Sequence, residues 1–252
     1  MASKQPDITL YTAQTPNGIK ISITLEELGL PYKVEKIDIS KNTQKEEWFL
    51  KINPNGRIPA LTDTFSDGQQ IRLFESGSIM QYLVEQYDTE YKISYPRGSR
   101  EYYEMNNWLF FQNAGVGPMQ GQSNHFVRYA PEHIEYGVKR YTNETRRLYG
   151  VLDKHLASSS SGYLVGDHVS IADISHWGWI AAAGWAGVDI DDFPHLKAWE
   201  ELMAQRVGVE KGRHVPSPHT IKDLLKDKAA MEKEAAKSRA WIQQGMKEDS
   251  KK

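Results

Sequence analysis

The stretch ITLYTAQTPNGIKISITLEELGLPYKVEKI, residues 8–37, sets the architecture of the first half of the chain. It opens on Ile8-Thr9-Leu10-Tyr11, a run of β-favouring residues. Thr15-Pro16-Asn17-Gly18 then breaks it with turn and cap residues. From Ile19 to Leu30 the apolar residues Ile21, Leu25 and Leu28 recur at the spacing of one helix face, and Gly29 and Pro31 mark the stop. Tyr32 to Ile37 alternates again. Strand, helix, strand in this order predicts a βαβ unit.

Beyond it lies a polar stretch from Ser40 to Lys51 with a short helical piece at Glu46–Leu50. Ala60-Leu61-Thr62-Asp63 and Ile71-Arg72-Leu73-Phe74 flank a polar loop containing Asp67-Gly68, which predicts a hairpin with a long connection. Ser76 to Tyr87 follows as a helix with Ile79, Met80, Leu83, Val84 and Tyr87 on one face. The order β-α-β, short helix, β-β-α is that of the thioredoxin fold.

After a linker at Lys92–Gly98 the strand signals nearly vanish. Helices are expected over Arg100–Phe111, Glu132–Leu156, Ile171–Ala183 and His195–Ala204. Val169-Ser170-Ile171-Ala172-Asp173-Ile174 carries a capping box, Ser170 with Asp173, and a hydrophobic staple, Val169 with Ile174. The Lys-, Glu- and Ala-rich stretch Pro216–Lys252 reads as a surface helix with a solvated face and a frayed end. The chain thus divides into an α/β thioredoxin-like domain (1–92), an all-α helical-bundle domain (99–215) and a partly mobile helical extension (216–252).

The 252 residues include no cysteine, which excludes disulfide scaffolds, cysteine zinc sites and cysteine nucleophiles. A net charge of −2 lacks the basic excess of a nucleic-acid binder. No apolar run approaches the roughly 18–20 residues that span a bilayer, and the N-terminus lacks the apolar core of a signal peptide. A cytoplasmic location is expected. The eight histidines are scattered, and no metal site is expected.

Three pieces of the first half point to one kind of ligand. Ile58-Pro59 precedes a strand; taken alone it reads as an ordinary strand-initiating proline, whereas a cis bond in a thioredoxin-like fold would turn the Ile58 backbone outward to pair with an extended peptide. Phe74-Glu75-Ser76-Gly77-Ser78 joins a strand to a helix start, where free N–H groups and the helix dipole favour an anion. Ser76 adds a hydroxyl for a carboxylate and Glu75 a charge for an ammonium, the two groups that a γ-glutamyl end carries on one carbon. At Thr15-Pro16-Asn17-Gly18 a second helix start, with the Asn17 amide and the Thr15 hydroxyl as donors, suits a thiolate. Capping and turn formation alone also account for each of the two helix-start pieces.

In combination these features resemble the glutathione transferase family over about residues 8–215, through Ile52–Leu61, Phe74-Glu75-Ser76 and Val169–Asp173. Thr15–Lys20 and Gly117-Pro118-Met119-Gln120-Gly121-Gln122 resemble the bacterial nu class and the fungal relatives of the yeast prion-forming nitrogen regulator. The resemblance implies glutathione as co-substrate, with its sulfur at Asn17 and Thr15 as catalytic groups. It also implies its cysteinyl backbone at Ile58, its γ-glutamyl end at Glu75 and Ser76, and contacts from Gln44, Arg57 and Arg140. Tyr11 would be a packing residue rather than the activating hydroxyl, and Gln14 replaces a serine that the family pattern leads one to expect. Trp108, Phe111, Met119 and Phe126 are candidates for the pocket of a second substrate. That substrate would be a small electrophile, a disulfide or a peroxide, and the assembly a homodimer. The implied activity is conjugation, or glutathione-dependent reduction of disulfides or peroxides. A non-catalytic regulatory protein on the same fold is the alternative.

Overall fold

The computed structural model describes residues 6–249. Four strands, β1 (Ile8–Thr12), β2 (Tyr32–Lys36), β3 (Ala60–Thr64) and β4 (Gln70–Phe74), form one sheet in the order β2-β1-β3-β4. β1 and β2 run parallel with Ile8 opposite Tyr32, as the βαβ reading requires. β3 is antiparallel to β1, Leu61 opposite Leu10, and pairs with β4 as a hairpin. Helix α1 (Pro16–Leu28) begins at Pro16 rather than at Ile19. The reason is local: Thr15 is extended and its side chain accepts from the Gly18 N–H at 3.0 Å, while proline is favourable in a first turn. Asn17 therefore lies inside the helix start. Gly29 ends the helix in the left-handed conformation.

The short α2 (Glu47–Leu50) covers the other side of the sheet, burying Phe49 against Ile37 and Ala60. Tyr11 joins that cluster, its ring 6.3 Å from those of Trp48 and Phe49. Helix α3 (Ser76–Tyr87) completes the first half.

The helices of the second half are α4 (Arg100–Phe111), α5 (Gly117–Asn124), α6 (Glu135–Leu156), α7 (Ile171–Ile180), α8 (Pro194–Ala204) and α9 (Val207–Gly212). The capping box forms: the Ser170 N–H donates to Asp173 Oδ2 at 2.9 Å and the Ala172 N–H to Ser170 Oγ at 3.3 Å. The main core is continuous through both halves, from Ile19, Ile21 and Leu25 through Ile79 and Leu83 to Leu109, Leu152 and Trp177. At the seam α9 presses on α1. A Cβ on Gly212 would sit 2.5 Å from the Ile23 backbone, so only glycine permits the approach. Ser22 Oγ donates to the Gly212 carbonyl at 2.7 Å in the same place.

The C-terminal segment departs from its expected solvated face. It forms α10 (Ile221–Leu224) and α11 (Lys228–Asp249), and α11 buries Ala235 completely. Arg239 Nε donates to the Arg128 carbonyl at 2.9 Å and Gln243 Nε2 to the Tyr129 carbonyl at 3.0 Å. The same helix meets the turn Ile39–Lys41 of the first half. Charge-rich composition hid this, because long charged side chains surround a few small and aromatic contact residues.

Candidate functional site

At the start of α1, the Trp179 indole donates to Asn17 Oδ1 at 3.0 Å. An indole N–H can only donate, so the amide orientation is fixed: its oxygen faces Trp179 and its NH2 is turned away. The Thr15 oxygen accepts from Gly18 and its hydroxyl proton remains available to a ligand. Two donors thus stand at a helix start where Pro16 has no N–H and the Gly18 and Ile19 N–H groups donate to Thr15. The Asn17 N–H is left without a backbone partner among the described residues, an arrangement that with the helix dipole favours negative charge.

Trp179 is itself seated by the glycine-rich turn of α5. Cβ atoms on Gly117 and Gly121 would lie 3.5 Å and 3.7 Å from its ring, so the ring rests on this bare face. Gln120 Nε2 donates to the Trp179 carbonyl at 2.7 Å, and the Tyr149 hydroxyl donates to Gln120 Oε1 at 2.8 Å.

The Ile58–Pro59 peptide is cis, against the expectation from the dipeptide alone. Among the described residues the Ile58 N–H and C=O have no backbone partner, so an edge is open beside β3. Asn53 Nδ2 donates to the Arg57 carbonyl at 2.7 Å and holds the loop, with the Arg57 side chain exposed. Gln44 is buried on the neighbouring turn, its backbone oxygen packed against Gly56 and its Oε1 unpaired.

Glu75 caps α3 with φ +67°, an unusual conformation for a residue with a Cβ, and its side chain is exposed. Next to it Ser76 is buried, and beneath Ser76 lies Lys20, fully buried inside α1. Lys20 Nζ donates to Ser76 Oγ at 3.2 Å and to Gln112 Oε1 at 2.5 Å. Burial holds the Lys20 pKa down at about 7, with Glu75 pulling the other way. With Lys20 protonated, Ser76 accepts from it and directs its own proton elsewhere. The nearby His176 is kept neutral by burial, with a pKa of about 3, while its Nδ1 faces the Ala172 carbonyl at 2.8 Å.

Asn17, Thr15, Ile58, Gln44, Arg57, Glu75 and Ser76 thus all lie at helix starts and turns of the first half. Arg140 is on α6 in the second half, exposed, 4.0 Å from Glu144 and over the Tyr141 ring. The four candidates for the second pocket are half-buried, Trp108 against Phe111 and His155, Phe111 also on His176, Phe126 on Tyr141, and Met119 against the main core. A cavity of about 710 Å³ opens instead beside Thr15 and Pro16, walled by Trp185 and, from the C-terminal segment, Trp241. Trp179 and Lys20 gave no sequence signal of their own, since one looks like core and the other like a solvated charge.

A family model described as "Glutathione S-transferase, N-terminal domain" matches residues 6–85, and one described as "Glutathione S-transferase, C-terminal domain" matches residues 125–206. The chain belongs to the glutathione S-transferase family. It is 43% identical to the disulfide-bond oxidoreductase YfcG of Escherichia coli over 79% of this chain and 91% of that one. A solved glutathione transferase homolog from Lodderomyces elongisporus, with two GSH per subunit, is 47% identical with a TM-score of 0.80, covering 83% of this chain and 99% of that one. The glutathione transferase URE2P6 of Phanerochaete chrysosporium, solved with oxidized glutathione, is 38% identical with a TM-score of 0.76, over 82% and 94% of the two chains. Ure2-like and fungal transferase-like proteins thus stand among the relatives, as the Thr15–Lys20 motif implied.

Proposed function

We propose that this protein binds glutathione in the cleft of its first half and ionises the glutathione thiol for reaction with a second substrate. The carrying observation is the Trp179–Asn17 hydrogen bond, which occupies the Asn17 oxygen and leaves its NH2 to donate to an incoming sulfur. An unperturbed thiol has a pKa of about 8.5, and lowering it by one to two units takes roughly 1.4–2.7 kcal/mol. One or two charge-assisted hydrogen bonds supply that. Thr15 gives the second donor.

In this reading the Ile58 backbone pairs with the cysteinyl residue, and Glu75 and Ser76 hold the ammonium and carboxylate of the γ-glutamyl end. Gln44 and Arg57 face the glycine end. Arg140 reaches glutathione only by leaving Glu144. With no cysteine in the chain, disulfide reduction runs entirely on glutathione. One glutathione thiolate attacks the disulfide, forming a mixed disulfide and releasing one substrate thiolate. A second glutathione thiolate attacks the glutathione sulfur of the mixed disulfide, giving oxidised glutathione and releasing the other substrate thiolate. Conjugation uses the same activated sulfur. A nu-class, cytoplasmic, homodimeric enzyme is the form this reading takes.

Calorimetric titration with glutathione, combined with turnover of an aryl halide, a peroxide and hydroxyethyl disulfide, tests the proposal. Asn17→Ala is expected to lower kcat by about tenfold to a hundredfold and raise the pKa of the bound thiol by about one to two units, with little change in affinity. Binding without turnover on all three substrates would point to a regulatory protein. Equal loss of binding and turnover in Asn17→Ala would remove its proposed role.

A further inference from the structure

Helix α7 meets the first turn of α1 at a place where a side chain would hold the two apart. Gly178, the residue before Trp179, is buried, and a Cβ there would lie 2.8 Å from Ile19 Cδ1, 3.1 Å from Ile19 Cγ1 and 3.2 Å from the Pro16 carbonyl oxygen. Pro16 and Ile19 stand on either side of Asn17 in that turn. Ile19 is only 1% exposed, so it has little room to yield. The glycine thus sets the closest approach of the two helices. The Trp179 indole beside it spans the remaining distance to Asn17 Oδ1, 3.0 Å.

A second contact fixes the end of α7. The Trp179 carbonyl accepts from the Ala182 N–H at 3.1 Å, as the last turn of a helix does, and also from Gln120 Nε2 at 2.7 Å. Gln120 Oε1 accepts in turn from the Tyr149 hydroxyl at 2.8 Å, and both side chains are completely buried. An amide and a phenol in an apolar core are unfavourable unless each is paired, and here each has its partner. The Tyr149 hydrogen bond also polarises the Gln120 amide and strengthens its N–H as a donor. Trp179 is therefore held at three points: its carbonyl by Gln120, its ring by the bare faces of Gly117 and Gly121, and its indole N–H by Asn17.

Resting on the glutathione reading above, we propose that Gly178 and Gln120 are positioning residues for thiol ionisation. They hold α7 at the distance from which Trp179 turns the Asn17 NH2 towards the sulfur. Both act through Trp179. The distance matters because a hydrogen bond stretched beyond about 3.2–3.5 Å loses most of its strength. An Asn17 amide that has lost the indole is free to present its oxygen to the sulfur, and an oxygen cannot donate to a thiolate. The consequence is specific. Loosening the seat of Trp179 raises the pKa of the bound thiol, while the proposed contacts at Ile58, Glu75 and Ser76 stay in place.

Thiolate absorbance of bound glutathione against pH, with calorimetric titration of S-methylglutathione on the full chain, tests this. In Gly178→Ala the pKa of the bound thiol should rise by about half a unit to one unit and kcat at neutral pH should fall by about twofold to fivefold. Affinity for S-methylglutathione, which has no thiol to ionise, should change by less than about twofold. Ile19→Val removes the Cδ1 atom nearest the added Cβ, so combining it with Gly178→Ala should recover at least about half of the lost ionisation. Gln120→Leu together with Tyr149→Phe removes the second tie without leaving either buried polar group unpaired. It should raise the thiol pKa in the same way, and it carries the test if Gly178→Ala misfolds. A lowered thiol pKa in the unaltered chain that persists in both altered chains would overturn the inference alone. Equal losses of S-methylglutathione affinity and of turnover would overturn it too, since they mark a purely structural role. No glutathione binding by the unaltered chain, or a bound thiol titrating near its ordinary value of about 8.5, would instead strike the proposed function.

Discussion

Trp179 and Lys20 both act on the proposed glutathione site from beneath it. Replacing Trp179 by Phe keeps the packing on Gly117 and Gly121 but removes the donor that orients Asn17. Stopped-flow and steady-state kinetics on Trp179→Phe should show kcat lower by about tenfold, with S-methylglutathione affinity changed less than about twofold. An unchanged thiol pKa in the complex would mean that Asn17 needs no such support. Lys20 predicts a pH dependence. A bound carboxylate at Ser76 favours protonated Lys20 and lifts its pKa above about 7, so binding takes up a proton. Affinity for S-methylglutathione, which has no thiol to titrate, should fall by about tenfold as pH rises from below 7 into the alkaline range. Lys20→Met should flatten that part of the profile, and a slope that survives the substitution would assign it to another group.

The elements follow local sequence rules where those rules act alone. Thr15 and Gly29 bound α1, and Ser170 with Asp173 opens α7, because caps depend on a few neighbouring residues. The βαβ unit, the hairpin and most of the helical half were legible for the same reason, and so were the helix starts that carry Asn17, Thr15, Glu75 and Ser76. What remained illegible depends on distant partners. Lys20 has no periodic reason to be buried, and the α11 contacts are made with Arg128 and Tyr129 more than a hundred residues earlier. Asp173 shows how far a local motif can extend. Besides Ser170 it accepts from the Leu164 N–H at 2.9 Å and from the Trp199 indole at 2.9 Å, joining α7 to α8. Asp173→Ala strands all of these buried donors, and urea unfolding should show a loss of about 3 kcal/mol or more. A loss below about 1 kcal/mol would mean that water replaces the carboxylate.

At the scale of the whole molecule, the outer face of α4 exposes two large aromatic side chains. On α4 the residues Met105 and Leu109 are buried, while Tyr103 and Phe110 are 61% and 59% exposed. Seven residues apart, they lie one above the other on the outer side. Phe74, also exposed at 37%, ends β4 immediately before Glu75 and Ser76. Large aromatic residues exposed along one helix face favour association, and a second copy meeting the same face satisfies a twofold contact. This is the face on which the homodimer proposed above is expected to form. Sedimentation equilibrium should give a dimer for the unaltered chain and a monomer for Phe110→Glu combined with Tyr103→Glu. Because Phe74 adjoins Glu75, the monomer should also bind glutathione less tightly, by about threefold to tenfold. A monomeric unaltered chain at micromolar concentration would refute the dimer, whereas a monomeric variant with full glutathione affinity would separate assembly from the site.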